Sequence, residues 1–533
     1  MHTLELADYS VWLPDGTPLL QHIHHRFAGR TGLVGANGAG KTTLLEGLAR
    51  APAPFRVAYL RQAQLEDTAG TLAEALGVAR PWAAARRVAE GTAGAGDYAA
   101  LEGAWDIEAR VAAVFDRLAL GIPQEPAWPL ARLSGGEQVR VRLAAVLLAD
   151  ARFVLLDEPT NHLDAAGRAF VHAFVRTWPY GLVAATHDRA LLAHVDTVVR
   201  LDGGALQVYG GNYAAFQAAR AREREAAAAA VTAARERLQA AEAGAREAAA
   251  RQAKRQSRGR KSYLENGGMP RILAGLKKRN AEKTAAKLAG VHDARVALAR
   301  GRLAQARERA GDEVAVKVDA PAAENTGRRL VAARGLRLAL PGGRPLWREP
   351  LALAVAAGDR LALAGNNGVG KTSLLLALLG RFGGEVRGEL RVAARRVAYL
   401  GQQAEGLDLA ASVFANARRG APRAAEHDLR IRLARLGFPG EAAFKRAGVL
   451  SGGERVRAAL ACLLGADEPP ELLLLDEPDN HLDLPAKEAV AAALRAYTGA
   501  VIVVSHDPDF LADAGIREEL RVASSRSSVD GSR

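Results

Sequence analysis

Short apolar runs alternate along this chain with stretches that read as helices, and the alternation occurs twice. Arg30–Val34, Phe153–Leu156 and Val183–Thr186 belong to one set; Arg360–Ala364, Leu472–Leu475 and Ile502–Ser505 belong to the other. Runs of this length, apolar without a polar alternation, predict parallel strands buried on both faces. Thr43–Leu48 and Ser373–Leu379 follow the first strand of each set and predict the opening turns of helices. Strands that alternate with helices predict an α/β fold. Here they predict two such domains of similar plan.

The middle of the chain has a different pattern. From Tyr213 to about Arg255 it is rich in Ala, Glu, Arg and Gln and contains no proline, which predicts a long helix. Ala281–Ala310 reads the same way, with two glycines as weak points. Between them, Ser257–Pro270 (SRGRKSYLENGGMP) predicts a turn-rich break. The expectation is a pair of long antiparallel helices with an irregular tip, and about 40 helical residues would reach about 60 Å from the body. The expected organisation is therefore a first domain at 1–211, a helical linker at 212–325, a second domain at 326–522 and a polar, disordered tail at 523–533.

Composition narrows the setting. The chain has 533 residues, nearly half of them apolar, enough for more than one core. Cys462 is its one cysteine, which excludes an intrachain disulfide, and its Ala/Leu surroundings predict a small buried residue. The opening residues MHTLELADYS lack a charged-then-apolar signal pattern. Apolar runs such as Leu143–Ala149 and Leu374–Leu379 fall far short of the roughly 20 residues a membrane helix needs. A cytoplasmic location is expected. The net charge of +13 points to an anionic partner, and residues 251–283 carry +9 of it. Eleven bases lie there (Arg251, Lys254, Arg255, Arg258, Arg260, Lys261, Arg271, Lys277, Lys278, Arg279 and Lys283) against Glu265 and Glu282 alone. A solvated helix normally mixes signs. A one-sided cluster at the end of a hairpin suits a polyanion, and with Tyr263 as its one aromatic it suits phosphate contact better than base stacking.

The candidate chemistry sits where the apolar runs end. GANGAGKT at 35–42 and GNNGVGKT at 365–372 both fit the phosphate-binding loop G-x-x-x-x-G-K-[ST]. Backbone N–H groups of Gly35, Ala36, Asn37, Gly38, Ala39 and Gly40, and of Gly365, Asn366, Asn367, Gly368, Val369 and Gly370, would wrap phosphate. Lys41 and Lys371 would reach the β/γ-phosphates, Thr42 and Thr372 would hold Mg²⁺, and Thr43 and Ser373 continue the two loops. Phe153–Glu158 and Leu472–Glu477 end in paired acids, as a buried strand does when it delivers carboxylates to a site. Asp157 and Asp476 would bind the metal; Glu158 and Glu477 would orient or deprotonate the attacking water. His187 and His506 close the third apolar run and would lie near the γ-phosphate. Gln62 and Gln402 follow a repeated Val-Ala-Tyr-Leu and would report on metal and water. Each of these residues recurs in both halves, in the same order. The Lys41/Lys371 offset is 330 residues and the Asp157/Asp476 and His187/His506 offsets are both 319, so local insertions alone separate the copies. One such insertion is expected around Arg80–Tyr98 of the first copy. His22, His24 and His25 have no counterpart and are expected to be surface or packing residues, not metal ligands.

The last shared motif is LSGGE, at 133–137 and 450–454. Between a P-loop and an acidic strand end it is the signature of the ATP-binding-cassette superfamily. The chain resembles an ABC-F protein: two cassettes in one polypeptide, a charged helical linker, no membrane domain, and DEPTNHLD at 157–164. The second copy, DEPDNHLD at 476–483, departs from that pattern with Asp479 in place of Thr. The resemblance implies composite sites. Lys41, Asp157, Glu158 and His187 would work with Ser451, Gly452 and Gly453 of the other cassette. Lys371, Asp476, Glu477 and His506 would work with Ser134, Gly135 and Gly136. It implies ATP and Mg²⁺ as ligands, hydrolysis at both sites, and a monomer whose cassettes pair internally. Trp12 lies where cassettes stack an aromatic on adenine, whereas the aligned residue of the second copy is Ala339.

In that family the linker enters the exit-tRNA site of the ribosome, touches tRNA and rRNA and points at the peptidyl-transferase centre. The implied function is a ribosome-associated ATPase, either a translation factor or a protein that displaces antibiotics. Two alternatives stand beside it: a DNA-associated ATPase, and the ATPase subunit of an exporter with separate membrane proteins. The chain ends without the coiled coil of the DNA-binding branch, and the long basic linker does not suit an exporter subunit.

Overall fold

The computed structural model of the protein describes residues 2–161, 163–265, 290–308, 327–401, 406–480 and 482–522. It divides into one compact unit, residues 1–216 with 316–533, and a second unit, residues 217–315.

Both halves of the first unit contain a parallel sheet of the same order. In the first half the strands run Val57–Leu60, Phe153–Asp157, Gly181–Ala185, Arg30–Gly35, Thr197–Asp202 and Ala205–Gly210, all parallel except the last. In the second they run Val397–Leu400, Leu472–Asp476, Ala500–Val504, Arg360–Ala364 and Glu518–Arg521, all parallel. Every residue of Phe153–Asp157, Gly181–Ala185, Leu472–Asp476 and Ala500–Val504 is buried. That explains their unbroken Leu/Val/Ile/Ala composition, since each Leu, Ile or Val taken out of water contributes about 2 kcal/mol. In each sheet the P-loop strand lies between the third apolar run and a later strand, so the chain crosses over to both sides of it. Ligands of open α/β sheets bind at the carboxyl ends of the strands flanking such a point.

An antiparallel layer completes each half. Thr3–Trp12 pairs with Pro18–Ala28 in the first, and Arg329–Ala339 pairs with Leu351–Ala356 and Glu385–Val392 in the second. Each packs on the P-loop helix through one core: Leu4, Leu20, Phe27, Leu44, Leu45 and Phe153 on one side, Leu336, Trp347, Leu374, Leu375 and Leu474 on the other. The insertion expected near Arg80–Tyr98 forms helices Ala79–Ala89 and Ala95–Ala100. Trp82, 2% exposed, anchors them in a helical core with Phe115 and Val141. Cys462 is partly buried, and burial pushes its thiol up to about 12, so it behaves as a small apolar residue.

A single helix spans Tyr213–Glu265, and residues 290–308 are helical as well. Within the second unit, Arg300 donates to Glu242 at 2.9 Å, and Ala234 and Leu303 are buried. The first helix runs through Ser257–Glu265, where a break was expected. Gly259 costs about 1 kcal/mol in a helix interior, a cost that a helix already under way absorbs because each added residue closes another hydrogen bond. The expected tip at 266–270, together with Arg271, Lys277, Lys278, Arg279 and Lys283, lies outside the described residues, as do Gln402 and the tail 523–533. Among the described residues no helix is long and apolar enough to cross a membrane.

Candidate nucleotide sites

The P-loop helices Lys41–Arg50 and Lys371–Leu378 begin directly at the loop lysines, with Gly40 (φ 101°) and Gly370 (φ 100°) as left-handed caps. A side chain there would be strained, and at Gly370 a Cβ would come within 2.9 Å of Leu346. Both lysines are buried. Lys41 Nζ donates to the carbonyls of Gly35 (2.9 Å) and Ala36 (3.4 Å), and Lys371 Nζ donates to those of Gly365 (2.7 Å) and Asn366 (3.1 Å). Burial lowers the pKa of each ammonium, and the carboxylates nearby, Glu158 at the first and Glu477 at the second, pull it back up.

The acidic strand ends lie opposite. Thr42 Oγ1 donates to Asp157 Oδ2 at 2.8 Å, and Thr372 Oγ1 to Asp476 Oδ2 at 2.7 Å. Tyr59 and Tyr399 reach the same carboxylate oxygens at 3.4 Å. These tyrosines precede Gln62 and Gln402 in the repeated Val-Ala-Tyr-Leu, and the repeat itself was the available signal for them. Burial raises the pKa of both aspartates, and the threonine hydroxyls only partly offset it. A hydroxyl and a buried carboxylate side by side supply the hard oxygen donors that fit a divalent ion. No group of three or more His, Cys, Asp or Glu able to hold a metal occurs among the described residues. Such an ion would take its other ligands from phosphate and water, which is how Mg²⁺ binds.

Glu158 (φ 48°) and Glu477 (φ 51°) both sit in the left-handed region. For a non-glycine residue this conformation is unfavourable and concentrates at functional sites. No sequence pattern announced it. Burial raises Glu158 to about 7 even though the Lys41 charge opposes the shift. His187 Nε2 lies 2.9 Å from Lys41 Nζ and 3.3 Å from Glu158 Oε1. Burial and Lys41 together drive its pKa well down, so the ring is neutral. His506 Nε2 lies 3.1 Å from Lys371 Nζ, and its pKa is lowered to about 4 for the same two reasons, with Arg168 of the first half adding to them.

Ser134 and Ser451 cap helices Gly135–Leu148 and Gly452–Leu464. Each hydroxyl accepts from the backbone N–H three residues on, while Glu137 or Glu454 accepts from the serine N–H at 2.7–2.8 Å. The glutamate of LSGGE thus completes a capping box and leaves the first N–H groups of the helix facing outward.

Across the two halves, one cavity of about 630 Å³ brings together Asn37, Gly38, Gly40, Lys41, Thr42, Thr43, Gln62, Asp157, Glu158 and His187 with Ser451, Gly452 and Gly453. That volume lies within the usual range for small-molecule sites. The Asn37 N–H donates to Asp483 Oδ2 of the second half at 3.2 Å. Around Lys371 and His506, Asp164 is the acid of the first half close enough to act on both. Ser134, Gly135 and Gly136 are placed at their own helix start, where Gly136 packs toward Gly167 and Asp164. Trp12 is 61% exposed at a strand end beside Leu13, which lines the cavity; Ala339 is tied into a bridge with Pro345. His22 and His24 are exposed around Asp8, and His25 packs edge-on against Phe27.

Fold and site together define a tandem P-loop ATPase with two nucleotide-binding cassettes. The ABC transporter domain family matches residues 26–161 and 349–480, just over half of the chain, and the protein belongs to that family. Within it the relatives are F-type proteins. The chain is 30% identical over 424 residues to ABC transporter F family member 3 of Arabidopsis thaliana, covering 79% of this chain and 53% of that protein. It is 29% identical over 504 residues to the probable ATP-binding protein YheS of Escherichia coli K12, covering 90% and 72%. It is 31% identical over 420 residues to the energy-dependent translational throttle protein EttA of Mycobacterium tuberculosis H37Rv, covering 76% and 66%. The chain thus spans about half of the first of these relatives and about two thirds of the last. Among solved structures, the archaeal ribosome recycling factor aABCE1 superposes with a TM-score of 0.56 at 18% identity, covering 96% of this chain and 87% of that one. That likeness concerns the fold. The relatives it matches along most of its length are ABC-F proteins.

Proposed function

We propose that the protein hydrolyses ATP at two composite sites and uses the cycle to act on the ribosome. The cavity shared by the first P-loop and the second LSGGE carries the first half of this proposal. The γ-phosphate of ATP bound on Lys41 would be met from across the interface by Ser451 and the N–H groups of Gly452 and Gly453, so nucleotide holds the cassettes together and hydrolysis releases them. Mg²⁺, held by Thr42 and Asp157 or by Thr372 and Asp476, would neutralise phosphate charge. Glu158 and Glu477 act as general bases toward the attacking water. His187 and His506, neutral at physiological pH, orient that water and the γ-phosphate. Gln62 and Gln402 complete the metal and water positions. Trp12 stacks on the adenine of the first site.

The ribosomal half rests on the linker and on the relatives. Arg251, Lys254 and Arg258 are exposed on the long helix, and EttA is by name a translational throttle. With Arg255, Arg260, Lys261, Arg271, Lys277, Lys278 and Arg279 they supply phosphate contacts to rRNA and tRNA. In this proposal the linker enters the exit-tRNA site toward the peptidyl-transferase centre. There the protein serves as a translation factor or displaces antibiotics, in the cytoplasm and as a monomer. Domain limits at 211/212, 325/326 and 522/523 accompany the proposal. The test is cosedimentation of the E158Q/E477Q variant with ribosomes. Binding in ATP but not ADP, lost when the linker bases are neutralised, is expected. No binding while ATP is demonstrably held would refute the ribosomal half.

A further inference from the structure

The long helix Tyr213–Glu265 starts on a seat that both cassettes build. Its first turn is fixed to the first cassette. The Asn212 side chain accepts from the Ala214 and Ala215 N–H groups at 3.1 and 3.3 Å, and the Gly211 N–H donates to the Asp196 carbonyl at 2.9 Å. Tyr213 and Phe216, each less than a tenth exposed, are buried in one cluster with Val34, Leu192 and Val198. Val34 immediately precedes the first P-loop. Among the described residues, the contribution of the second cassette to this cluster is Leu484, itself 7% exposed.

Leu484 opens helix Leu484–Ala496 and follows Asp483, whose carboxylate makes two bonds. Oδ1 accepts from the Ala486 N–H at 2.9 Å and caps that helix, while Oδ2 accepts from the Asn37 N–H of the first P-loop at 3.2 Å. One residue thus holds the helix to the first P-loop, and the next holds it to the root of the linker. One turn on, Glu488 lies 3.7 Å from Arg189 of the first cassette, which also pairs with Asp513. The mirror-image contact lacks these side chains. Ala165 and Ala169 stand 319 positions before Leu484 and Glu488, and Pro508 stands 319 positions after Arg189.

We propose that Leu484 couples the first nucleotide site, and not the second, to the root of the linker helix. Closure on ATP at Lys41 holds Asp483 against Asn37 and keeps Leu484 over Tyr213 and Phe216; opening withdraws it. The inference rests on the nucleotide binding proposed above and adds which of the two sites the linker answers to. Withdrawal bares two aromatic side chains at the start of a helix whose following residues are mostly Ala, Glu and Arg. Such a helix draws little on apolar burial of its own, so its first turns loosen when the seat opens. The two states are Leu484 seated and Leu484 withdrawn, and both the nucleotide and the linker root bias them. Linkage makes the effect reciprocal: a root that holds Leu484 tightens nucleotide at the first site.

The experiment follows amide hydrogen exchange at residues 213–220 of the full-length E158Q/E477Q protein, with saturating mant-ATP and without nucleotide. Nucleotide is expected to slow exchange there by about tenfold, in the K371A form as in the parent and not in the K41A form. L484A should abolish the slowing with mant-ATP still bound, and L484M should keep most of it. Slowing in the K41A form, its loss in the K371A form, or its persistence in L484A would overturn the proposal. R189A leaves the apolar cluster intact and removes the flanking ion pairs, so it reads the same contact should L484A not fold; the slowing should then shrink to about threefold, and an unchanged slowing refutes the coupling. Independently of exchange, F216A should weaken mant-ATP about threefold in the K371A protein and leave the K41A protein unchanged, and equal effects or none count against it. A K371A protein that binds no mant-ATP would refute nucleotide binding at the first site, and the inference with it.

Discussion

At the first P-loop, Lys41, His187 and Glu158 form a contiguous buried chain, with contacts of 2.9 and 3.3 Å. At the second, His506 lies 3.1 Å from both Lys371 and Asn367, and Glu477 accepts from the Asn480 amide. The loops, the strained glutamates and the threonine–aspartate pairs match in kind, yet the histidines differ: His187 reaches a carboxylate and His506 an amide oxygen. Backbone geometry, set by glycines and buried strands, survives duplication more easily than a side-chain network that one substitution can redirect.

The comparison can be broken most severely at the bases. E158Q/E477Q should lose at least about a hundredfold in ATP turnover while still binding nucleotide, measured by phosphate release against mant-ATP retention. Equal residual activity in the two single variants would show that the difference at the histidines has no kinetic consequence. The next effect is on pH. Glu158 must be ionised to act, and burial places it at about 7, so first-site turnover in E477Q should fall as pH drops below that value, about tenfold per unit once the acid predominates. His506, at about 4, stays neutral over this range and contributes no such loss. A flat first-site profile from pH 8 to 6 would show that bound nucleotide resets the glutamate.

A smaller effect is expected at the adenine. W12A should weaken ATP at the first site severalfold, since an aromatic stack contributes about 1 kcal/mol, and A339W should tighten the second. Mant-ATP titration of K371A and K41A proteins reads each separately, and no change in either would remove Trp12 from the site. The smallest difference concerns the caps. S134A and S451A should each destabilise by about 1 kcal/mol, to equal extents, because both close the same capping box. Unequal shifts in thermal unfolding would mean that one serine carries load from the interface.

Much of this was legible before any coordinates. The strands at Phe153–Asp157 and Leu472–Asp476 are apolar throughout because both faces are covered, and a P-loop must follow a strand and open a helix to present its N–H groups. Glu158 and Glu477 were identifiable by recurrence. Their left-handed backbone was not, because φ has no signature in a glutamate. Tyr59 and Tyr399 were passed over on the way to Gln62 and Gln402, although the repeat marked them. The helix at Ser257–Glu265 was misjudged because local turn residues weigh heavily in a short window, whereas a helix already under way extends one residue at a time at little cost.

The sequence by itself determined that there are two cassettes, where their phosphate loops and acids lie, and that one stretch of the linker is strongly basic. Local patterns suffice for these, since each depends on neighbours a few residues away. The family resemblance already implied that Ser451 meets Lys41; tertiary structure alone decided that Asp483 reaches Asn37 and that Lys487 lines the same cavity as Glu158 and His187. Such pairings join residues hundreds of positions apart, and only packing selects which distant charge shares a dry, low-dielectric cavity with which acid.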